Sequence, residues 1–227
     1  MMWWEDLFRL FFPHLCLVCG KRLALHQKVL CLECEHRLPG KPRGDPRTSM
    51  LSQTFWGRVP VEMCTALFRF EKGSAYQQLL HELKYRNNRH CGLYLGRLLG
   101  YELRHSTFSA CDLIIPVPIH PRRLRKRGYN QSEIIGRGIA EITGIPLVTN
   151  VLRRSVHHTS QTSRGRLERF DNIRDNFSIH PSAPNCNGLK ILLVDDVLTT
   201  GATLEACSLV LLRQFNCLVY LATLSFA

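Results

Sequence analysis

The stretch "ILLVDDVLTTGATL", residues 191–204, changes abruptly from apolar to polar. Its apolar part has the length and character of a strand buried in a parallel sheet. Asp195 and Asp196 then stand at the carboxyl end of that strand, which is where open α/β sheets bind their ligands. Neighbours in a strand point to opposite faces, so we expect the two carboxylates to play different parts.

The turn after these acids is rich in hydroxyl groups and leads into a predicted helix. Backbone N–H groups at a helix start, aided by the helix dipole, favour a bound phosphate. Thr199, Thr200 and Thr203 can add hydroxyl donors, and Gly201 permits a tight turn and a close approach of the anion. Carboxylates repel a phosphate and suit sugar hydroxyls or a divalent cation instead. The stretch therefore predicts a ligand such as a ribose 5-phosphate.

Three other interpretations of this stretch compete. A Walker B strand would need a phosphate loop, and the chain contains no G-x4-G-K-[ST]. The acidic strand of a phospho-receiver normally opens its domain, whereas this strand follows most of the sequence. An ordinary buried strand with a capped helix would leave two adjacent acids and three threonines around a glycine unexplained.

The rest of the chain alternates apolar strands with amphipathic helices. We predict strands at 64–70, 112–119, 145–148, 188–196 and 217–226, and helices at 74–84, 90–104, 131–144 and 202–215. This alternation is typical of an α/β protein with a doubly wound, mostly parallel sheet. Residues 39–60 have the proline- and glycine-rich composition of a linker. We therefore predict an N-terminal domain at 1–45 and an α/β domain at 60–227.

Four of the 10 cysteines form a C-x2-C-x11-C-x2-C pattern, namely Cys16, Cys19, Cys31 and Cys34. Two C-x2-C knuckles brought together offer four thiolates to one tetrahedral ion, so the pattern predicts a closed structural Zn²⁺ site. Buried or redox-active cysteines are the alternative, and the repeated spacing disfavours it. The metal would help to fold a domain that is too small to fold alone.

The N-terminal residues are apolar but contain Glu5, Asp6 and Arg9. They lack the basic region and cleavage site of a signal peptide, and they are too short and too charged to span a bilayer. We expect a cytoplasmic protein with no integral membrane segment. As a helix, this segment would present an aromatic docking face made of Trp4, Phe8, Phe11 and Phe12.

The net charge of +12 points to an anionic partner, such as nucleic acid, a phosphorylated small molecule or an anionic membrane surface. Residues 120–174 carry 12 Lys/Arg against 4 Asp/Glu, a net of +8. For the cluster of Arg123, Arg125 and Lys126 we favour a solvated surface. The chain of 227 residues, 45% of them hydrophobic, has room for one α/β domain and a small appendage.

Residues 191–204 resemble the phosphoribosyl pyrophosphate (PRPP) signature of type I phosphoribosyltransferases. The blocks "FPHLCLVCGKRL", "LLHELKYRNN", "DLIIPVPIHPRRLRKRGYNQSE" and "SQTSRGRLERFDNIRDNF" resemble the ComF family, which is associated with bacterial competence and DNA uptake. This resemblance runs from about Leu7 to the end of the sequence. It implies a type I phosphoribosyltransferase fold with an N-terminal zinc knuckle of four cysteines.

The resemblance also implies roles for single residues. Asp195 and Asp196 would contact the ribose hydroxyls directly or through Mg²⁺, and Arg127 would assist the departure of pyrophosphate. The 5-phosphate would be held by Thr199, Thr200, Gly201, Ala202 and Thr203. The pyrophosphate would face Lys84 and the loop 116–119, which includes Pro116 and Val117 and is followed by Arg122, Tyr129, Asn130 and Gln131. A mobile cover would contain Gln161, Arg169 and Asn172.

Two classes of function follow. The first is a glycosyltransferase that binds PRPP or a nucleoside 5-phosphate and transfers its phosphoribosyl group. The sequence shows neither a base-binding loop nor an N-terminal cysteine for glutamine hydrolysis, so it does not identify the acceptor of that group. The second is a non-catalytic competence factor that binds single-stranded DNA or a helicase through residues 120–174 and the zinc knuckle. Tyr129 and Phe170 are the aromatic residues of that stretch, too few for an extended stacking platform. A structural adaptor would leave the PRPP signature unexplained.

Overall fold

The computed structural model describes residues 13–40, 45–154 and 176–227. The aromatic face predicted near the N-terminus and the predicted cover residues Gln161, Arg169 and Asn172 lie outside these ranges. Among the helices described, none is long and apolar enough to cross a membrane.

A four-stranded parallel sheet forms the centre of the fold, with strand order β1-β6-β5-β2. The strands of the described residues are β1 (Met63–Arg69), β2 (Leu113–Pro116), β3 (Leu152–Arg154), β4 (Phe177–Ile179), β5 (Lys190–Leu198) and β6 (Leu218–Phe226). β3 and β4 form a separate antiparallel pair. The parallel sheet confirms the predicted α/β fold class.

The helices of the described residues are α1 (Leu32–His36), α2 (Met50–Gln53), α3 (Gln77–Tyr85), α4 (Arg89–Arg104), α5 (Pro121–Arg127), α6 (Gln131–Thr143) and α7 (Ala202–Gln214), with a 3-10 turn at Thr107–Ala110. The last five of these helices lie between strands in the chain, whereas α1 and α2 precede β1. The four longest correspond to the predicted helices. The predicted strand 145–148 is wrong in extent, because only Leu147 pairs, through a single parallel bridge to Ile114.

The alternation of side chains along β5 separates two hydrophobic cores. Leu192 and Val194 face the core formed with α4 and α6, whereas Ile191 and Leu193 face the core formed with α7. All four side chains are fully buried. This burial on both faces explains why the strand is apolar throughout instead of alternating with polar residues.

The residues between the cysteine cluster and β1 are packed, although their composition predicts a linker. Leu51 of α2 and Phe55 are buried in the core that α7 covers. Ser52 donates its hydroxyl to the Pro46 carbonyl and accepts from the Cys64 backbone N–H at 2.8 Å. α2 is thereby attached to the first strand of the sheet.

The cysteine-containing segment, residues 13–40, also packs on the sheet and its helices. The Tyr76 hydroxyl donates to the Cys34 carbonyl at 2.9 Å, and the Tyr94 hydroxyl donates to the Glu35 carboxylate. The Arg69 backbone N–H donates to the Pro39 carbonyl at 2.7 Å. Cys34 belongs to the same buried core as the leucines of α3 and α4.

Candidate functional site

A polar cleft of about 250 Å³ lies at the carboxyl ends of β2 and β5. The residues predicted for the site that line this cleft are Lys84, Val117, Arg127, Asp195, Asp196, Thr199 and Thr203. Pro118, Ile119, Asn130 and Gln131, which lie close to them in the chain, also line it. The other described residues that line it are Arg123, Ser132, Arg154 and Val197. Pro116 is buried in β2 beside Val194 and does not line the cleft. The structure therefore brings together residues from four separate parts of the sequence.

The two acids have different neighbours, as their alternation along the strand predicts. Asp195 accepts hydrogen bonds from the Ser132 hydroxyl and from the Asp196 backbone N–H, both at 2.9 Å. The Asp196 carboxylate instead lies 3.1 Å from the Lys84 ammonium. β5 continues to Leu198, so both acids lie within the strand instead of beyond its end.

Burial raises the pKa of Asp195 to about 7, and the negative charge of Asp196 acts in the same direction. The hydrogen bonds from the Asp196 amide and Ser132, with the charge of Lys84, oppose this rise in pKa. Near neutral pH the Asp195 carboxyl group is therefore close to its midpoint of ionisation. A bound cation or a hydroxyl donor would favour its ionised form.

The hydroxyl-rich turn connects β5 to α7 and has a constrained backbone. Gly201 is left-handed, with φ 76°, and a Cβ there would lie 3.0 Å from Phe55 Cε1. Both the left-handed backbone and this close contact disfavour a residue with a side chain at position 201. Thr199 and Thr203 line the cleft, whereas Thr200, Gly201 and Ala202 form the turn without lining it.

Arg58 holds this turn from outside the cleft. Its guanidinium donates to the Thr200 carbonyl at 2.9 Å and forms an ion pair with the Glu205 carboxylate, with Nε 2.9 Å from Oε2. Sequence reasoning missed Arg58 because it falls in the segment whose composition predicts a linker. No signal in the local sequence indicates its contact with residues about 150 positions away.

Among the described residues, four cationic side chains line the cleft, and the sequence predicts a role in ligand binding for two of them. Arg127 donates to the Gln131 side-chain carbonyl at 3.0 Å and lies over the Tyr85 ring at 5.7 Å. Arg123, interpreted from the sequence as a solvated charge, is exposed but lies on the rim of the cleft. Lys84, which lies beside the two acids, is the other cation that the sequence predicts for the site.

Arg154 is the fourth cation, and it comes from β3. Its guanidinium lies 5.0 Å from the Phe177 ring centroid, and its pKa is lowered by burial and by the charge of Arg123. Arg154 Nε and Gln131 Nε2 are buried donors with no partner among the described residues. Buried donors normally have acceptors, so these two indicate where an anion could be held.

The four knuckle cysteines lie together, away from this cleft. Their Sγ atoms are all within 4.8 Å of one another, and the Sγ atoms of Cys19 and Cys31 are 3.7 Å apart. A tetrahedral ion with Zn–S bonds of about 2.3 Å requires sulfur atoms roughly 3.8 Å apart. Burial alone would raise the pKa of Cys16, but backbone N–H groups of Cys19 and Cys31 lower it to about 6. The spacing of the four sulfur atoms therefore fits a tetrahedral Zn²⁺ ion.

Relatives with curated names share much of this chain. It is 31% identical over 134 residues to competence protein F of Haemophilus influenzae, covering 57% of this chain and 58% of that protein. It is 29% identical over 210 residues to the DNA utilization protein YhgH of Salmonella typhi, covering 88% and 85%. Competence protein ComFC of Bacillus subtilis is 24% identical over 102 residues, covering 45% and 39%. A scan against protein-family models finds no match.

Similar solved structures include two phosphoribosyltransferases. The purine phosphoribosyltransferase of Pyrococcus horikoshii has a TM-score of 0.37, with 17% identity, 59% of this chain and 81% of the other covered. The adenine phosphoribosyltransferase of Thermoanaerobacter pseudethanolicus has a TM-score of 0.39, with 18% identity, 63% and 83% covered. Likenesses this distant say nothing about activity.

The parallel sheet, with paired acids and a hydroxyl turn on β5, is the α/β arrangement that the sequence predicts. The cysteine cluster at its N-terminus completes the predicted architecture. The curated relatives, named competence protein F, DNA utilization protein YhgH and competence protein ComFC, support the ComF resemblance drawn from the sequence.

Proposed function

We propose that the cleft binds PRPP or a nucleoside 5-phosphate together with Mg²⁺, and that the protein serves DNA uptake, as the names of its relatives suggest. The observation that supports this most strongly is that Asp195 and Asp196 share one cleft with Thr199 and Thr203. Acids suit a sugar diol and hydroxyls suit a phosphate, so one ribose 5-phosphate accounts for both groups.

The bound ligand would lie across β5. Its ribose hydroxyls would face the two acids, and its 5-phosphate would face Thr199, Thr203 and the start of α7. The anionic substituent at C1 would face Arg127 and the unpartnered donors of Gln131 and Arg154. The carboxylate oxygens of the acids are ligands that Mg²⁺ prefers. When bound, Mg²⁺ would offset the negative charge of the pyrophosphate.

Phosphoribosyl transfer is the reaction that this arrangement favours. Displacement of pyrophosphate develops positive charge on the ribose, which the carboxylates of Asp195 and Asp196 stabilise. Arg127 and Lys84 would attract the departing pyrophosphate. The cleft would hold the reacting groups in position, and such positioning supplies much of the rate enhancement of transfer reactions.

Calorimetric titration of Mg²⁺ and PRPP into the full chain tests this proposal. We expect Asp196→Asn to weaken binding by about tenfold to a hundredfold, because removing a charged hydrogen-bonding partner costs about 1.5–3 kcal/mol. Glu141→Gln is the matched control, because Glu141 forms an exposed ion pair with Arg97 outside the cleft. Absence of PRPP binding to the wild type, or equal binding to Asp196→Asn, would contradict the proposal.

A second candidate function, binding of single-stranded DNA, is favoured by a basic groove beside the cleft. This groove has a volume of about 600 Å³ and is lined by Lys84, Tyr85, Asn87, Arg123, Arg125, Lys126, Arg127 and Gly128. The Tyr85 side chain is exposed. A cationic groove with an exposed aromatic ring is typical of sites that bind single strands through phosphates and base stacking.

The salt dependence of binding to an oligothymidylate tests the second function. Neutralised phosphate contacts give a slope of about −0.7 per contact in a plot of log K against log salt concentration. We therefore expect Arg125→Ala/Lys126→Ala to reduce the slope by about 1.4. Arg104→Ala/Arg213→Ala removes the same charge from exposed helix ends and should leave the slope unchanged. Equal slopes for both double variants would contradict DNA binding in the groove.

A further inference from the structure

The hydroxyl-rich turn between β5 and α7 is supported from outside the cleft by the residues that follow α2. Phe55 is fully buried, and its ring would lie 3.0 Å from a Cβ at Gly201. The Thr54 methyl group would lie 3.3 Å from the same Cβ. The Arg58 guanidinium connects the two segments, because its Nη1 donates to the Thr54 carbonyl at 3.0 Å and to the Thr200 carbonyl at 2.9 Å.

The contact with Thr200 fixes the orientation of one peptide group in the turn. The Thr200 carbonyl and the Gly201 N–H belong to one planar trans peptide, so they point to opposite sides. Arg58 is not among the described residues that line the cleft, and it holds the carbonyl on its own side. The Gly201 N–H therefore points away from Arg58. Backbone N–H groups at a helix start hold phosphate, so a rotation of this peptide would replace a donor with a carbonyl oxygen that repels the anion.

Arg58 also offsets a buried negative charge at the start of α7. Glu205 lies in the first turn of this helix, and its buried carboxylate accepts from Arg58 Nε at 2.9 Å. The Glu205 backbone N–H donates to the Gly201 carbonyl at 2.8 Å, so this carboxylate belongs to the helical turn that begins at the hydroxyl-rich residues. A carboxylate there repels a bound phosphate and competes with it for the positive end of the helix dipole. The guanidinium reduces both effects.

We propose that Arg58 is a positioning residue for the 5-phosphate of the ligand, because it fixes the Thr200 peptide and offsets the charge of Glu205. The inference rests on the proposed function, since the cleft must bind a ribose 5-phosphate. One guanidinium can serve both purposes, because its planar set of donors faces a carbonyl and a carboxylate at the same time. Arg58 lies outside the cleft, so it acts on the ligand through the turn.

Calorimetry on the full chain with Mg²⁺ tests this inference by comparing two ribose phosphates, PRPP and ribose 5-phosphate, with pyrophosphate. The ribose phosphates require the turn, whereas pyrophosphate would bind at Arg127 and at the donors of Gln131 and Arg154. Arg58→Met keeps an unbranched apolar side chain and removes the donors and the charge. We expect it to weaken binding of both ribose phosphates about tenfold, as one charge that is no longer offset near a bound anion can do. Binding of pyrophosphate should stay unchanged.

Two variants separate positioning from a structural role of the ion pair. Glu205→Gln breaks the same ion pair but keeps Arg58 at Thr200, so it should bind the ribose phosphates at least as tightly as the wild type. A merely structural role would instead make both variants lose affinity alike. Arg58→Lys keeps the positive charge and should lose less affinity than Arg58→Met. As the matched control, Arg97→Met breaks an exposed ion pair with Glu141 outside the turn and should change nothing.

The outcomes distinguish this inference from the proposed function. If the wild type binds a ribose phosphate, three results overturn this inference alone: equal binding by Arg58→Met, an equal loss in Glu205→Gln, or an equal loss of pyrophosphate binding. If Arg58→Met does not fold, Arg58→Lys replaces it and should weaken the ribose phosphates more than Glu205→Gln does. If the wild type binds neither ribose phosphate, the proposed function fails and the inference fails with it.

Discussion

Replacing Gly138 by alanine is expected to force α4 and α6 apart. The two helices meet through glycines, so that their backbones touch. A Cβ at Gly138 would lie 2.4 Å from the Leu93 carbonyl oxygen and 2.8 Å from the Arg97 backbone nitrogen. A Cβ at Gly96 on the facing helix would lie 2.3 Å from the Ile135 carbonyl oxygen. Neither helix can relieve these clashes by rotating a side chain.

The cost follows from these distances. Carbon and oxygen atoms approach to about 3.3 Å at closest, so the helices must separate by roughly 1 Å. A gap of that size forfeits about a quarter to a half of the contact energy across it. Overpacking costs about 1–3 kcal/mol, and we expect this close contact to cost about 3 kcal/mol or more. The higher helix propensity of alanine offsets about 1 kcal/mol of that cost. The net loss in the free energy of unfolding should be about 2 kcal/mol, or about 4–8 °C in Tm.

Urea unfolding followed by far-UV circular dichroism, with the full chain and zinc present, measures this loss. Gly136→Ala is the matched control in the same helix. Its Cβ would meet only the ends of the Leu147 and Ile114 side chains, at 2.8 and 3.3 Å, and these can move. We expect that control to stay within about 1 kcal/mol of the wild type. The reasoning is refuted if Gly138→Ala is as stable as the wild type, or if both variants lose equally.

Three further predictions concern charges and metal. The pKa of Asp195 in the folded protein, about 7, exceeds the ordinary value of 3.8. Between these two values the folded protein keeps a proton that the unfolded chain releases, so the stability that this proton contributes is lost as pH rises from about 4 to 7. Asp195→Asn should lose less stability than the wild type between pH 5 and 7.5 by urea unfolding, and equal losses would show the shift to be absent. Ser132→Ala removes a hydrogen bond to the ionised carboxylate and should make the loss steeper than in the wild type; an unchanged pH dependence would contradict the role of that hydroxyl. By elemental analysis, the wild type should contain about one zinc ion per chain; Cys16→Ser/Cys31→Ser should lose it, whereas Cys111→Ser should keep it, and zinc retained by the double variant would place the metal elsewhere.

Local patterns were sufficient to predict the main elements of the fold. The strands β1, β5 and β6 are apolar runs, and the helices α3, α4, α6 and α7 have apolar residues at helical spacing, so each could be identified from its own sequence. α2 could not, because its four residues lie among polar ones and only Leu51 and Phe55 reveal its packing. β3 and β4 have three residues each, too few to show an alternation.

The candidate site divides in the same way. Asp195, Asp196 and the turn at 199–203 are adjacent in the chain, so their combination is visible from the sequence alone. Ser132, Arg58 and Arg154 act through interactions with residues that are far from them in the chain. Polar residues are common at such positions, so the local sequence gives no indication of these interactions. Each depends on how two elements pack.

By itself, the sequence determined which chemical groups lie in the candidate cleft and in the cysteine cluster. The two acids, the threonines of the hydroxyl turn and the cysteines of each pair are close together in the chain. Local backbone geometry is therefore sufficient to place the members of each group near one another. Only the tertiary structure decided how those groups are tuned and what lies beside them: the hydroxyl of Ser132 on Asp195, the ammonium of Lys84 on Asp196 and the guanidinium of Arg58 behind the hydroxyl turn. The physical reason is that charge and burial depend on distances through space, and the parallel crossovers of the sheet bring together residues that are far apart in the chain.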